Sequence, residues 1–227
     1  PAARGASEQV TVEPQLCLQP DNARLTWPAF LEDVVARHGD RTVMRFAGRD
    51  INARPLPSDA RRLAKALAAS GVSKGMRIAV HMANRPEFAV ASFAIAMLGA
   101  VMVPVNTFAT PSEREYILRH GDAALLLLQR TLLKHDFIAD LLQMFPELAT
   151  DDGGPLLNHK VPQLRQVVAL GLDEANGKVQ AWEAFLQRGE NFTDAVLDAM
   201  IAEVFPSDES MIIYTSGTTA RPKGVLH

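Results

Sequence analysis

Between residues 77 and 170, short apolar runs alternate with stretches whose apolar residues recur every three or four positions. RIAVHM (77–82), VMVPV (101–105), ALLLLQ (124–129) and QVVAL (166–170) have strand length and almost no polar face, the pattern of strands buried on both sides. Pro86 to Leu98 reads as a helix. Thr110-Pro111-Ser112-Glu113 is a capping box with proline at the first helical position, and it opens a helix that runs to His120 and ends at Gly121. A third helix carries Phe137, Ile138, Leu141, Leu142 and Phe145 on one face. Strand and helix alternating in this way predict an α/β fold, a mostly parallel sheet with helices on both faces.

The flanks are less regular. Residues 1–24 show no periodicity and read as an extended arm. Thr26 is placed to cap a helix through about Arg37, with Phe30, Leu31, Val34 and Val35 inward and Asp33 paired to Arg37. Residues 42–54 read as a hairpin turning near Gly48. Ser58 is expected to cap a second helix that ends at Gly71. That helix would bury Ala60, Leu63, Ala64 and Leu67 and expose Arg61, Arg62 and Lys65 to solvent. Residues 146–162 are polar and rich in Gly and Pro, a surface excursion with a turn at Asp151-Asp152. Helices near Trp182–Arg188 and Asp194–Phe205 precede a break at Pro206-Ser207-Asp208. Met211 to Tyr214 then reads as another strand buried on both faces.

That strand runs into the chemically distinctive stretch. Thr215, Ser216, Thr218 and Thr219 set hydroxyls around Gly217, and Arg221, Pro222, Lys223 and Gly224 follow. Hydroxyls and backbone N–H groups donate hydrogen bonds and Lys223 adds a mobile cation, a combination that suits a polyphosphate. In open α/β sheets such ligands gather at the carboxyl ends of the strands. The spacing is not that of a P-loop, which requires G-x-x-x-x-G-K-[ST]. The run from Tyr214 to Thr219 and again from Pro222 to Val225 resembles the signature Y-T-S-G-T-T-G-x-P-K-G-V of the AMP-forming adenylating enzymes: acyl-CoA synthetases, luciferases and peptide-synthetase adenylation domains. It departs once, with Ala220 in place of the usual Gly. Residues 71–106 and 110–128 resemble the same family and point toward its acyl-CoA synthetases, whereas INARPLPSDA at 51–60 departs from the family's usual segment there.

The resemblance implies the N-terminal part of the large domain of an AMP-forming synthetase. Residues 1–24 would be an arm and 25–227 an incomplete AMP-binding domain, with the remainder of that domain and a small lid domain absent. It implies ATP, Mg²⁺ and coenzyme A as cofactors and a carboxylic acid as substrate, in the style of fatty acid metabolism. The carboxylate would attack the α-phosphorus of ATP, and a thiol would then displace AMP. Phosphate contacts fall to Thr215, Ser216, Gly217, Thr218, Thr219 and Lys223, with no catalytic residue and no metal ligand in this stretch, since the family's catalytic lysine lies further on. Arg221 is read as solvated and Pro222 as stiffening the loop. Residues 215–224 are expected to be the least stable part outside the arm. Transfer to a carrier-protein thiol, or a non-catalytic binding module, are the alternatives.

Composition narrows the setting. The 227 residues are 48% hydrophobic and 22% charged with a formal net charge of −3, so no basic field points to nucleic acid. Cys17 is the only cysteine, and the first residues lack a signal peptide's apolar core, so a reducing, cytoplasmic location is expected. Residues 88–105 carry no charge, but Gly99 and Pro104 interrupt them, which favours a buried helix and strand over a membrane span. The histidines at 38, 81, 120, 135, 159 and 227 show no metal-ligand spacing and read mostly as surface or cap residues. Asn106 reads as a turn cap. The oligomeric state is not legible.

Overall fold

The computed structural model describes residues 25–215 and 221–227. Its centre is a five-stranded sheet in the order β4-β3-β5-β8-β9, built from β3 (Arg77–His81), β4 (Val101–Pro104), β5 (Leu125–Gln129), β8 (Gln166–Leu170) and β9 (Val179–Ala181). Every pairing in it is parallel. The chain leaves β3 for β4 on one side and then crosses to β5 on the other. The topology therefore opens a crevice at the carboxyl ends of β3 and β5. The short edge strand β9 has no counterpart in the sequence pattern, because three residues carry too little periodicity to register.

Strand residues alternate between two apolar layers, as the pleat requires. Ile78, Val80, Leu125, Leu127 and Val168 face one core, against α2 (Leu56–Ala69), α3 (Pro86–Met97), α6 (Trp182–Gln187) and α7 (Asp194–Ala202). Ala79, Leu126, Leu128, Val167 and Ala169 face the other, against α4 (Pro111–His120) and α5 (Phe137–Met144). The expected sandwich of helices on both faces of a parallel sheet is what forms. On the outside, α1 (Trp27–His38) takes its cap from the Thr26 side chain and pairs Arg37 with Asp33 at 3.2 Å, as the spacing predicts. Strands β1 (Thr42–Phe46) and β2 (Arg49–Asn52) form the hairpin, and both turn residues, Ala47 and Gly48, have positive φ, as the right-handed twist of a two-residue turn demands.

Local chemistry corrects several expectations. Helix α2 starts at Leu56, ahead of Ser58. Pro55 and Pro57 preset helical φ at its start, and the Ser58 hydroxyl donates to the Pro55 carbonyl at 2.9 Å instead of capping. Its basic face is not merely solvated. Arg61 meets Asp194 and Asp198 at 2.8 and 2.7 Å, Lys65 meets Asp194 at 2.9 Å, and Arg62 meets Glu183, so these charges tie α2 to α6 and α7. The stretch 146–162 is pinned to the body by buried Leu148, Leu156 and Val161, although its Asp151 and Asp152 carboxylates do accept from Gly153 and Gly154 in tight turns. A small antiparallel pair, β6 (Thr131–Leu132) and β7 (His135–Asp136), leads into α5. Among the described residues no helix is long and apolar enough to cross a membrane.

Candidate active site

The last element departs most from expectation. β10 (Ile212–Thr215) does not lie inside the sheet. It pairs antiparallel with β11 (Lys223–Leu226) in a hairpin of its own. Among the described residues its ladder pairing with the sheet edge is a single parallel bridge, Met102 to Met211, with the Met102 N–H donating to the Ser210 carbonyl at 2.9 Å. Ile212 is buried and packs into the core under α4, whereas Ile213 is 40% exposed, so only one face of the strand is covered. An uninterrupted apolar run hides this difference, because periodicity cannot tell a central strand from an edge ribbon. The direction expected of β10 survives: it runs parallel to β4, so Thr215 leaves at the carboxyl-terminal side of the sheet.

Of the expected phosphate contacts, Thr215 and Lys223 face each other as the last pair of the hairpin, and the Thr215 hydroxyl donates to the Lys223 carbonyl at 3.5 Å. Both are exposed. Ser216, Gly217, Thr218 and Thr219 lie outside the described residues, as does Ala220. Thr215, Lys223 and Gly224, expected in a weakly held loop, are strand residues with ladder partners. Gly224 is required by packing: a Cβ there would come within 2.9 Å of Ile212 Cγ2 and 3.2 Å of Tyr214 Cζ.

Tyr214 binds the hairpin to α4. Its hydroxyl lies 2.7 Å from Nδ1 of His120 in the last helical turn, and its ring meets Tyr116 edge-on at 6.4 Å. Burial, and then the neighbouring Tyr116, push the Tyr214 phenol up to about 12. Tyr116 and His120 sit one turn apart and stack at 5.1 Å. Arg221 lies 5.4 Å over the Tyr116 ring, so it is held by a cation–π contact rather than simply solvated. Sequence reading passes over Tyr116 and takes His120 as a helix-end histidine of the surface or cap kind. Their i, i+4 spacing is visible, but their partner Tyr214 lies far along the chain.

Beside the hairpin, an open cleft of about 560 Å³ occupies the carboxyl ends of β3, β4 and β5. Met82, Asn84, Phe88, Asn106, Phe108 and Tyr214 are among its walls. The Asn106 side chain caps its own turn, accepting from the Phe108 N–H at 2.9 Å, as the sequence suggests. The buried Gln129 amide braces the adjoining loops, accepting from the Ala83 N–H at 2.7 Å and donating to the Thr131 carbonyl at 2.8 Å. The arrangement is a mainly apolar cleft at the strand ends with Asn84, Asn106 and Thr107 among its few polar walls, flanked by a hairpin that carries a hydroxyl and a cation at its open end.

Comparison with known proteins is consistent with this geometry. Residues 31–227 match the family model described as AMP-binding enzyme. The chain is 34% identical over 201 residues to a methyl-dioxo-octahydro-indenyl-propanoyl:CoA ligase of Mycobacterium tuberculosis, covering 88% of this chain and 36% of that protein. It is 29% identical over 210 residues to a crotonobetaine/carnitine–CoA ligase of Salmonella typhi, covering 90% of this chain and 36% of the relative. The fold is similar to that of the anthranilate CoA ligase AuaEII solved with anthranoyl-AMP, with a TM-score of 0.64 and 22% identity over 89% of this chain and 34% of that one. It is also similar to coronafacic acid ligase from Pectobacterium brasiliense, with a TM-score of 0.67 and 18% identity over 89% of this chain and 34% of that one. The chain thus spans about a third of the length of these proteins.

Proposed function

The chain belongs to the AMP-binding enzyme family, and from that premise we propose that a protein of the relatives' full length carrying it is an acid–thiol ligase that works through an acyl-adenylate. The observation that carries the reading is the hairpin. Thr215 and Lys223 stand opposite each other at its open end, on the carboxyl-terminal side of the sheet, with the hydroxyl-rich signature between them. A carboxylate oxygen attacks the α-phosphorus of ATP, the bond to the β-phosphate oxygen breaks, and acyl-adenylate and pyrophosphate form. Thr215 and Lys223 hold the departing phosphates, where negative charge builds, so their contacts strengthen in the transition state. Ser216, Gly217, Thr218 and Thr219 complete the donors in this proposal. Mg²⁺ arrives with the nucleotide phosphates.

In the second step a thiol attacks the acyl carbonyl, loses its proton and expels AMP. Coenzyme A as that thiol is supported by the printed names of the ligases that this chain resembles. The 227 residues alone are proposed to bind Mg-ATP weakly and to turn nothing over.

The test is ATP–pyrophosphate exchange by the full-length protein across a panel of carboxylic acids, with Lys223→Ala alongside. Exchange with at least one acid, reduced in the variant by the equivalent of about 2–4 kcal/mol, is expected. Exchange that is equal in both proteins would remove Lys223 from the phosphate site.

A further inference from the structure

The two stems of the signature are held by one face of one helix. Tyr214, before it, bonds His120 at 2.7 Å and meets the Tyr116 ring edge-on; Arg221, after it, lies over that same ring. Among the described residues the hairpin's only ladder pairing with the main sheet is the Met102–Met211 bridge, with Ile212 packed into the core beside it, so much of the hold on the stems comes from side chains. We infer that Tyr116 and His120 are positioning residues: by gripping both stems, they set where Thr215 and Lys223 stand relative to the strand-end cleft. The inference rests on the adenylating reading for its catalytic consequence, though not for the grip itself.

The local packing supports a built contact. At Gly121, just after His120, a Cβ would come within 3.4 Å of the Tyr214 hydroxyl, and at Gly224 a Cβ would crowd the Tyr214 ring. The ring thus fills a slot between the end of α4 and the facing strand. Among the described residues, His120 bonds Tyr214 and not Thr215 or Lys223, where the Thr215 hydroxyl bonds the Lys223 carbonyl. The effect of His120 and Tyr116 is to remove freedom from the stems, which lowers the cost of presenting donors in one geometry.

Three single variants of the full-length protein and one double variant test this. His120→Phe keeps the ring stack and removes Nδ1, Tyr214→Phe removes the hydroxyl, and His120→Asn puts an amide group near the Nδ1 position. In pyrophosphate exchange, the KM for Mg-ATP is expected to rise about fivefold in each Phe variant, the effect of one lost hydrogen bond. The KM for the carboxylate should stay at the wild-type value and His120→Asn should recover most of the loss. The double variant His120→Phe/Tyr214→Phe should be no worse than either single one, because both remove the same bond. An additive double variant, or KM values for ATP equal to wild type in folded protein, would overturn the assignment.

Amide hydrogen exchange separates this from the adenylation reading. In His120→Phe, the N–H groups of 212–215 and 223–226 should exchange faster than in wild type and in His120→Asn, whether or not the protein activates any acid. Unchanged protection there refutes the grip. Absence of exchange activity in the wild type refutes only the reading on which the catalytic consequence depends.

Discussion

His81 ends β3 with 2% of its surface exposed, its ring tilted on Phe137 at 4.2 Å. Its Nε2 has no hydrogen-bond partner among the described residues. The charges that face it are Arg114 from α4 and Asp140 from α5, themselves paired at 2.6 Å. Burial first, and then the Arg114 charge, lower its pKa to about 4, against a smaller opposing pull from Asp140. The unfolded chain binds this proton near the ordinary histidine value of about 6.5. Since the folded value lies below the unfolded one, the contribution of neutral His81 is complete above about pH 6.5. It is lost as pH falls from there toward about 4, over the range where only the unfolded state is protonated. Integrated from pH 8, the loss is about 0.8 kcal/mol at pH 6 and about 2 kcal/mol at pH 5. Urea unfolding of wild type and His81→Gln at each pH isolates this group, because the carboxylates that also titrate are common to both and cancel. The wild-type stability minus that of the variant should fall by about 2 kcal/mol between pH 8 and pH 5. His81→Leu serves if Gln is too poorly accommodated to fold. Curves that stay parallel across that range would show that the imidazole protonates in the folded protein as readily as in the unfolded chain, and the burial argument would fail.

Other perturbations address separate elements. Asp140→Ala leaves the Arg114 guanidinium, 3% exposed, without its carboxylate and should cost about 3–5 kcal/mol in urea unfolding at neutral pH. Gly189→Ala places a Cβ 2.6 Å from the Ala66 backbone nitrogen, so α2 or the turn after α6 must shift, with a loss of about 1–3 kcal/mol read as a lower Tm. Gly224→Ala pushes a Cβ against Ile212 and Tyr214; ATP–pyrophosphate exchange by the full-length protein should fall while the Tm of the sheet domain changes little, since the hairpin lies outside that sheet.

The central layers were legible in the sequence because their signal is redundant. Each of β3, β4, β5 and β8 is an apolar run with a helix pattern beside it, and the Thr110–Glu113 capping box announces α4 and is formed, with the Glu113 N–H bonded to the Thr110 hydroxyl at 3.3 Å. What escaped depends on partners distant in sequence. The Arg61 contacts to Asp194 and Asp198 convert an apparent solvent face into a helix–helix contact. His81 reads as one more histidine until two helices close over it. β11 was invisible as a strand because KGVL looks like the tail of a loop, and only its pairing with β10 gives it structure.

The same distinction governs the site. A chemically marked loop could have hung from a central strand, held on both sides by ladder hydrogen bonds that any sequence can supply. Here it hangs from a ribbon whose own ladder is short and whose ladder pairing with the sheet, among the described residues, is one bridge. Backbone hydrogen bonds are therefore too few to fix its position, and side chains must do so: Ile212 anchored in the core under α4, Tyr214 bonded to His120, Arg221 over Tyr116. Such contacts are specific to residue identity in a way that a ladder is not. Substitutions along one face of α4 should for that reason act on nucleotide binding from a distance, while equally conservative changes in the interior of β3 or β5 act on the stability of the whole domain.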